Sequence, residues 1–187
     1  MLSDLQIIDR TRNRVNTFFG DGIVAHIPFA DPFCENLNKI LYDAAVKSGA
    51  TVHQGGTFVV MEGPAFSTRA ESRLYRSWGA DLIGMTTLPE AKLAREAEIC
   101  YSVIGCATDY DSWWQSAEAI TVDVILETML HNVDTAKDII RLAVGRITPD
   151  PACSCHSALS TAIVTSPDSM PLEQKEKLGL LIDKYIK

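Results

Sequence analysis

The sequence has no glycine-rich phosphate loop, no long apolar run, no surplus of positive charge and no internal repeat, and each absence removes a class of function. No apolar segment approaches the roughly 20 residues that a membrane-spanning helix needs. The opening Met1-Leu2-Ser3-Asp4 carries an acid and no hydrophobic stretch follows it, so the expectation is a soluble, cytoplasmic protein with no membrane partner. Lys and Arg number 17 against 24 Asp and Glu, a formal net charge of −7. The overall field therefore does not draw in nucleic acid or anionic lipid. An anionic substrate such as phosphate would have to find local donors. The pair Gly55-Gly56 lies inside an extended stretch rather than ahead of a helix, and reads as a bulge instead of a phosphate cradle.

Disulfide architecture is also missing. Five cysteines at irregular spacing do not make a secreted framework. Cys100 and Cys106 lie in the apolar run Cys100–Ala107 and read as inert core thiols. Cys153-Ser154-Cys155 leaves three readings open: free structural thiols, a small strained disulfide, or thiolate ligands to a metal. No second Cys/His pair with zinc-like spacing accompanies it, and His156 alone does not supply one. Free structural thiols are the favoured reading, and no metal site is expected.

What is present is enough apolar material for one sizeable core: 47% of 187 residues. A single domain over residues 1–187 is expected, with a helical C-terminal part from about residue 121. Ile23–Ile27 reads as a strand, and Asp31-Pro32 as the cap and first-turn proline of a helix to about Ser48. Thr51–Met61 reads as extended. Thr68-x-x-Glu71 and Thr87-x-x-Glu90 match capping boxes, opening helices to about Trp78 and Glu98. Leu82–Met85 and Ile99–Ala107 read as buried strands. Thr121–Val144 reads as a long amphipathic helix with Val122, Ile125, Leu126, Met129, Val133 and Ala136 on its apolar stripe. Two shorter helices are expected at about His156–Val164 and Leu172–Tyr185. Strands alternating with helices indicate an α/β layer fold.

Chemistry concentrates between Gly63 and Trp114. Thr108-Asp109-Tyr110-Asp111-Ser112-Trp113 places two carboxylates at i and i+2 past an apolar run, and strand alternation would point both the same way. Such a pair suits protonation of a departing heteroaromatic base. Parallel strands carry ligands at their carboxyl ends. Met85 and Thr86 follow one such end, and Asp109 and Asp111 another. Arg10, Arg12 and Arg14 read as members of a solvated polar loop.

Four blocks, His26–Cys34, Glu62–Trp78, Gly84–Cys100 and Thr108–Trp113, resemble the trimeric purine nucleoside phosphorylase family, in order and over most of the chain. The resemblance implies a three-layer α/β/α fold around a mixed β-sheet and a reaction in which phosphate displaces the base of a purine nucleoside. Purine salvage is the implied setting. No cofactor is implied, inorganic phosphate being a co-substrate, and the implied assembly is a homotrimer.

The resemblance also implies roles. Asp109 would be the acid that protonates the purine N7, with Asp111 near the exocyclic amine. Phe66 would pack against the base, and Met85 under the ribose. Thr86 would touch phosphate and sugar, and His26 would reach a neighbouring subunit's site near the 5′ end of the nucleoside. Two close carboxyls in a dry pocket would raise one pKa. Ser67 after the Phe, together with Asp109 rather than Asn, is the family's 6-aminopurine pattern. It favours adenine-type nucleosides, with 5′-methylthioadenosine the leading candidate, over 6-oxopurines. The Cys153-x-Cys155 element resembles one that forms a disulfide in some prokaryotic members.

Family members are longer, and an N-terminal third supplies most of their phosphate ligands through a Gly-rich turn, an Arg-His pair and a Thr/Ala turn. The expectation is a chain truncated at the N-terminus that keeps the base and ribose wall, with Thr86 as its remaining phosphate contact. Alternatives are a non-catalytic or split-enzyme subunit that docks with an N-terminal partner chain, and a nucleosidase that uses water in place of phosphate.

Overall fold

The computed structural model describes residues 2–3, 5–114, 122–149 and 152–186. Its regular elements in chain order are β1 (Leu2–Ser3), β2 (Gln6–Arg10), α1 (Glu35–Lys47), β3 (His53–Gln54), β4 (Thr57–Met61), α2 (Arg69–Ser77), β5 (Leu82–Gly84), α3 (Thr87–Glu96), α4 (Val122–Val144) and α5 (Leu172–Ile182). The class is α/β as expected. Two sheets form, β1-β3 and β2-β4-β5. Every ladder among the described residues is parallel, and two isolated antiparallel bridges, Gly20↔Ile23 and Ala25↔Ile163, accompany them.

The centre of the larger sheet explains itself. Phe58-Val59-Val60 is a continuous apolar run, the composition of a parallel strand covered on both faces. Phe58 and Val60 pack with Leu5, Phe33 and the α3 residues Leu88 and Ala91. Val59, turned to the opposite face by strand alternation, is also fully buried. Gly84 in β5 is small for a reason: a Cβ there would lie 2.8 Å from the Phe58 ring. A second core joins Phe19 and Ile23 to Leu159, Ala162, Met170, Leu178 and Ile182. A third joins α1 to α4 through Ala44, Ala45, Ile139 and Ala143.

Local sequence chemistry sets α2. Thr68 accepts from the Glu71 amide while the Glu71 carboxylate accepts from the Thr68 amide, so the capping box forms as read. Other expectations are corrected. First, α1 starts at Glu35 with Cys34 as its N-cap, not at Asp31-Pro32. The Cys34 amide is instead engaged by Tyr101 O at 2.8 Å, which delays the helix. Second, α3 has Thr86 as N-cap without a side-chain bond. Leu88 (φ −109°, ψ 141°) leaves the helical region because the residue before a proline avoids it, and the second box does not close.

Third, residues 101–107 run extended beside α1 without joining a ladder among the described residues, and Ile23–Ile27 contributes only bridges. Ser102 is held by the Asn38 side chain, and Ala107 O accepts from Asn132 of α4 at 2.9 Å. Side-chain hydrogen bonds thus take the place of a ladder. Fourth, α4 buries Ile139 and Ala143, while Leu126, Met129 and Val133 of the expected stripe are about half exposed. The segment expected as a helix at 156–164 is a short 3-10 turn, Ser154–Ser157, followed by further turns.

Candidate active site

The carboxyl ends of β4 and β5 lead into the two segments that carry the chemistry, Glu62–Ser72 and Met85–Thr87. Arg14 ties them together. Its Nη1 donates to Met85 O at 2.6 Å and Leu88 O at 2.5 Å. Its Nη2 donates to Glu62 O at 2.7 Å and Met61 O at 3.2 Å. Its Nε pairs with Glu62 Oε2 at 2.9 Å, and the same oxygen accepts from the Arg12 amide at 2.7 Å. Arg14 is therefore not a solvated loop residue as the polar sequence around it indicated. A guanidinium presents several donors in a fixed fork, and the strand ends offer carbonyls without partners along the chain.

The third segment, Thr108–Trp114, is docked on the first. The Ser112 hydroxyl donates to Ser67 O at 3.0 Å, and the Trp113 amide donates to Ser72 Oγ at 3.0 Å. Arg76 of α2 stacks on Trp113 with its guanidinium carbon 3.8 Å from the ring centroid. Trp113 and Tyr110 meet edge to face, and Trp114 stacks on Tyr110. Met85 fills the space above Gly63, where a Cβ would lie 2.5 Å from its sulfur. Ser67, buried, donates to Met61 Sδ at 3.5 Å.

Of the expected site residues, Ser67 and Met85 make contacts in this network, and Asp111 lies beside Ser112, the residue that docks its segment. Phe66 is also there, next to Ser67, but its ring is 84% exposed. Thr86 caps the start of α3 with its side chain in solvent. Asp109 is exposed and accepts from the Thr108 hydroxyl at 2.6 Å, whereas Asp111 is half-buried. The two carboxylates do not share one dry pocket. The chain turns at this point, with the Trp114 amide bonded to Asp111 O at 2.9 Å, so strand alternation does not govern them. His26 sits on a different part of the fold: its amide donates to Ala162 O at 2.8 Å and its side chain is exposed.

Sequence reading missed Arg14, Ser72, Arg76 and Ser112. Ser72 carried a usable signal, a small polar residue on the first turn of a capped helix. Arg14 carried none beyond its charge.

A separate cluster gathers sulfur. The thiols of Cys34, Cys100, Cys153 and Cys155 all lie within 4.8 Å of one another. All are free in this structure, and no bond joins Cys153 to Cys155, the disulfide that the family resemblance offered beside the favoured reading of free thiols. Cys100 is not an isolated core thiol, and Cys106 is exposed. Burial and the neighbouring sulfurs push Cys100 up strongly and Cys155 up to about 11. Burial also works against ionising Cys153, but hydrogen bonds from the Cys155 amide and the adjacent thiols outweigh it and hold Cys153 below its usual value.

A parallel α/β sheet with polar and aromatic side chains gathered beyond its carboxyl ends is the architecture of many nucleotide- and nucleoside-handling proteins. The chain belongs to the phosphorylase superfamily, whose profile matches residues 2–144. It is 59% identical over 182 residues to the S-methyl-5′-thioadenosine phosphorylase of Geobacter sulfurreducens, covering 97% of this chain and 64% of that protein. It is 53% identical over 180 residues to the enzyme of the same name from Koribacter versatilis, covering 96% and 62%. A crystal structure of a methylthioadenosine phosphorylase from an antarctic soil metagenomic library superposes with a TM-score of 0.90 at 43% identity, covering 97% of this chain and 64% of that one. The chain therefore spans just under two thirds of the length of these relatives.

Proposed function

We propose that this chain carries the base- and ribose-binding wall of an enzyme that splits 5′-methylthioadenosine with phosphate, releasing adenine and 5-methylthioribose 1-phosphate. In that reaction the bond from the ribosyl carbon to the purine nitrogen breaks, a phosphate oxygen bonds to the same carbon, and a proton neutralises the departing base. Asp109 is the acid that delivers the proton to N7, and Asp111 accepts from the 6-amino group. Phe66 covers the base, Met85 lies under the sugar, and Thr86 contacts phosphate and ribose. His26 is offered to a neighbouring copy in a homotrimer. Phosphate is a co-substrate.

The observation that carries this reading is the bond from the Ser112 hydroxyl to Ser67 O. It holds the segment bearing Asp109 and Asp111 against the Phe66-Ser67 segment, which supports a site shared by acid, amine acceptor and base platform. The names and identities of the relatives support the choice of nucleoside. One observation favours a second reading alongside it. Phe66 is 84% exposed and Asp109 faces solvent, as expected if this chain docks with a partner chain that supplies phosphate-binding loops.

Adenine release from methylthioadenosine by the purified chain, followed with and without phosphate, tests the proposal. Phosphate-dependent release that falls by about 10²–10⁴ in Asp109→Asn is the expected outcome, the range for loss of a general acid. Adenine binding in calorimetry without turnover would establish the docking subunit in its place. Turnover indifferent to phosphate would make the protein a nucleosidase. An Asp109→Asn variant as fast as the parent would end the assigned acid role.

A further inference from the structure

Beyond the nucleoside site, the four-thiol cluster has the geometry of a metal centre. We propose that Cys34, Cys100, Cys153 and Cys155 form a tetrathiolate site for one structural zinc ion, independent of the phosphorolysis reading.

The distances are close to those a tetrahedral centre requires. Zinc–sulfur bonds of about 2.3 Å place the four sulfurs of a tetrahedral centre about 3.8 Å apart. Cys34 Sγ lies 3.8 Å from Cys153 Sγ, Cys100 Sγ lies 3.6 Å from the same atom, and all remaining separations are within 4.8 Å. Four sulfurs seldom converge so closely by packing alone, since a thiol is a weak hydrogen-bond partner and two thiols satisfy each other poorly. Cys34 and Cys155 are buried, and Cys100 and Cys153 half-buried, so the centre would be closed to solvent exchange of a ligand. Four protein ligands with no open position mark a structural site rather than a catalytic one. Soft thiolates select zinc over the hard cations magnesium and calcium.

The spacing hid this site from a sequence search. Cys34 caps α1, Cys100 follows α3, Cys153 caps the 3-10 turn Ser154–Ser157 and Cys155 lies within it. The amide of Cys34 already bonds to Tyr101 O at 2.8 Å, which sets the first two ligands side by side. The C-x-C element then closes over them. His156 packs against the cluster as an outer partner, its Nε2 3.9 Å from Cys100 Sγ and its Nδ1 3.3 Å from Glu98 O. Backbone anchoring of a ring beside the ligands is the usual form of outer-shell support. A bound ion would pin the C-terminal segment that follows residue 152 onto the start of α1. Binding would release the thiol protons to solvent and leave a centre of charge −2 when all four are lost.

The test is a metal count on chain purified under reducing conditions from zinc-supplied cells. About one zinc per chain is expected in the parent and in Cys106→Ser, which lies outside the cluster, and none in the double variant Cys153→Ser/Cys155→Ser. Cobalt(II) loaded into the parent should give a tetrahedral thiolate spectrum that excess zinc erases. Should the double variant fail to fold, the cobalt spectrum of the parent decides alone. A folded, reduced parent that takes up neither zinc nor cobalt overturns the proposal. So does intact mass under non-reducing conditions showing these four sulfurs joined in disulfides in freshly isolated protein, since that state leaves no thiolate to bind.

Discussion

Arg14 donates to Leu88 O at 2.5 Å, across 74 positions of sequence, and the same guanidinium holds Met61, Glu62 and Met85 carbonyls. One side chain thereby fixes the ends of β4 and β5 against the first turn of α3. Removing it leaves several inward-facing carbonyls without donors. Arg14→Ala should cost about 2–4 kcal/mol in urea unfolding, since hydrogen bonds to a charged donor are the stronger kind and orphaned acceptors add to the loss. Arg14→Lys should recover little of it, because an ammonium cannot span carbonyls arranged for a planar fork. An Ala variant within about 0.5 kcal/mol of the parent, the range of an ordinary surface change, would show that the network is not a structural anchor.

Gly63 has φ +69°, and a Cβ there would sit 2.5 Å from the Met85 sulfur. Gly63→Ala carries two penalties: strain in a left-handed conformation, and displacement of a side chain assigned to the ribose. A loss of about 1–3 kcal/mol is expected by thermal or urea unfolding. If Met85 contacts the sugar, KM for nucleoside should rise as well. The companion Met85→Ala/Gly63→Ala separates the two effects. Relieving the clash should recover that part of the stability loss but not KM, the left-handed strain remaining, and recovery of KM would remove Met85 from the ribose site.

Glu98 has a side chain that is 8% exposed and gathers Lys184, the Tyr185 hydroxyl at 2.5 Å and the Leu159 amide at 2.9 Å. Burial alone would raise its pKa, but these donors together hold it below the ordinary 4.5. A depressed folded pKa means that the carboxylate's stabilisation is complete above about 4.5 and is lost as pH falls through the lower folded value. Glu98→Gln should therefore be less stable than the parent near neutrality by about 1–3 kcal/mol. The gap should narrow on acidification below the ordinary value. Denaturation midpoints of both proteins across acid pH check this, and a gap that stays constant or widens would contradict the assignment.

How much of this was legible in the sequence depended on how local the causes were. Thr68-x-x-Glu71 predicted its capping box because both bonds lie within one turn. Thr51–Met61 reads as extended, and β4 forms within it, because a run of β-branched and aromatic residues is itself a local signal. Met85 follows the end of β5, as its place after an apolar run indicated, because that too is a local feature. Other features are set by distant partners. The apolar stripe of α4 could not reveal which apolar positions meet α1, since Ile139 and Ala143 are buried while equally apolar Leu126 and Met129 are not. Asp31-Pro32 looked like a helix start, but Tyr101 claims the Cys34 amide and moves it. Arg14 and the cysteine cluster join residues far apart in the chain, and no spacing rule reaches that far.

Ser72 is 1% exposed, and its hydroxyl oxygen accepts from the Trp113 amide at 3.0 Å. Together with the Ser112 to Ser67 bond it is a second rivet between α2 and the carboxylate segment. Each replacement by alanine should cost about 1 kcal/mol, the net worth of one hydrogen bond. If Asp109 is the acid proposed above, activity should suffer more than stability does, because a catalytic acid displaced by about 1 Å can lose about 10²-fold in rate. The two bonds hold one short segment, so their losses should not add: with either rivet gone the segment is already loose, and the double variant should be little slower than the worse single one. Steady-state kinetics on Ser72→Ala, Ser112→Ala and the pair, alongside their unfolding curves, resolves this. Independent, multiplying rate losses would mean that the serines act through separate routes and that the segment does not move as a unit.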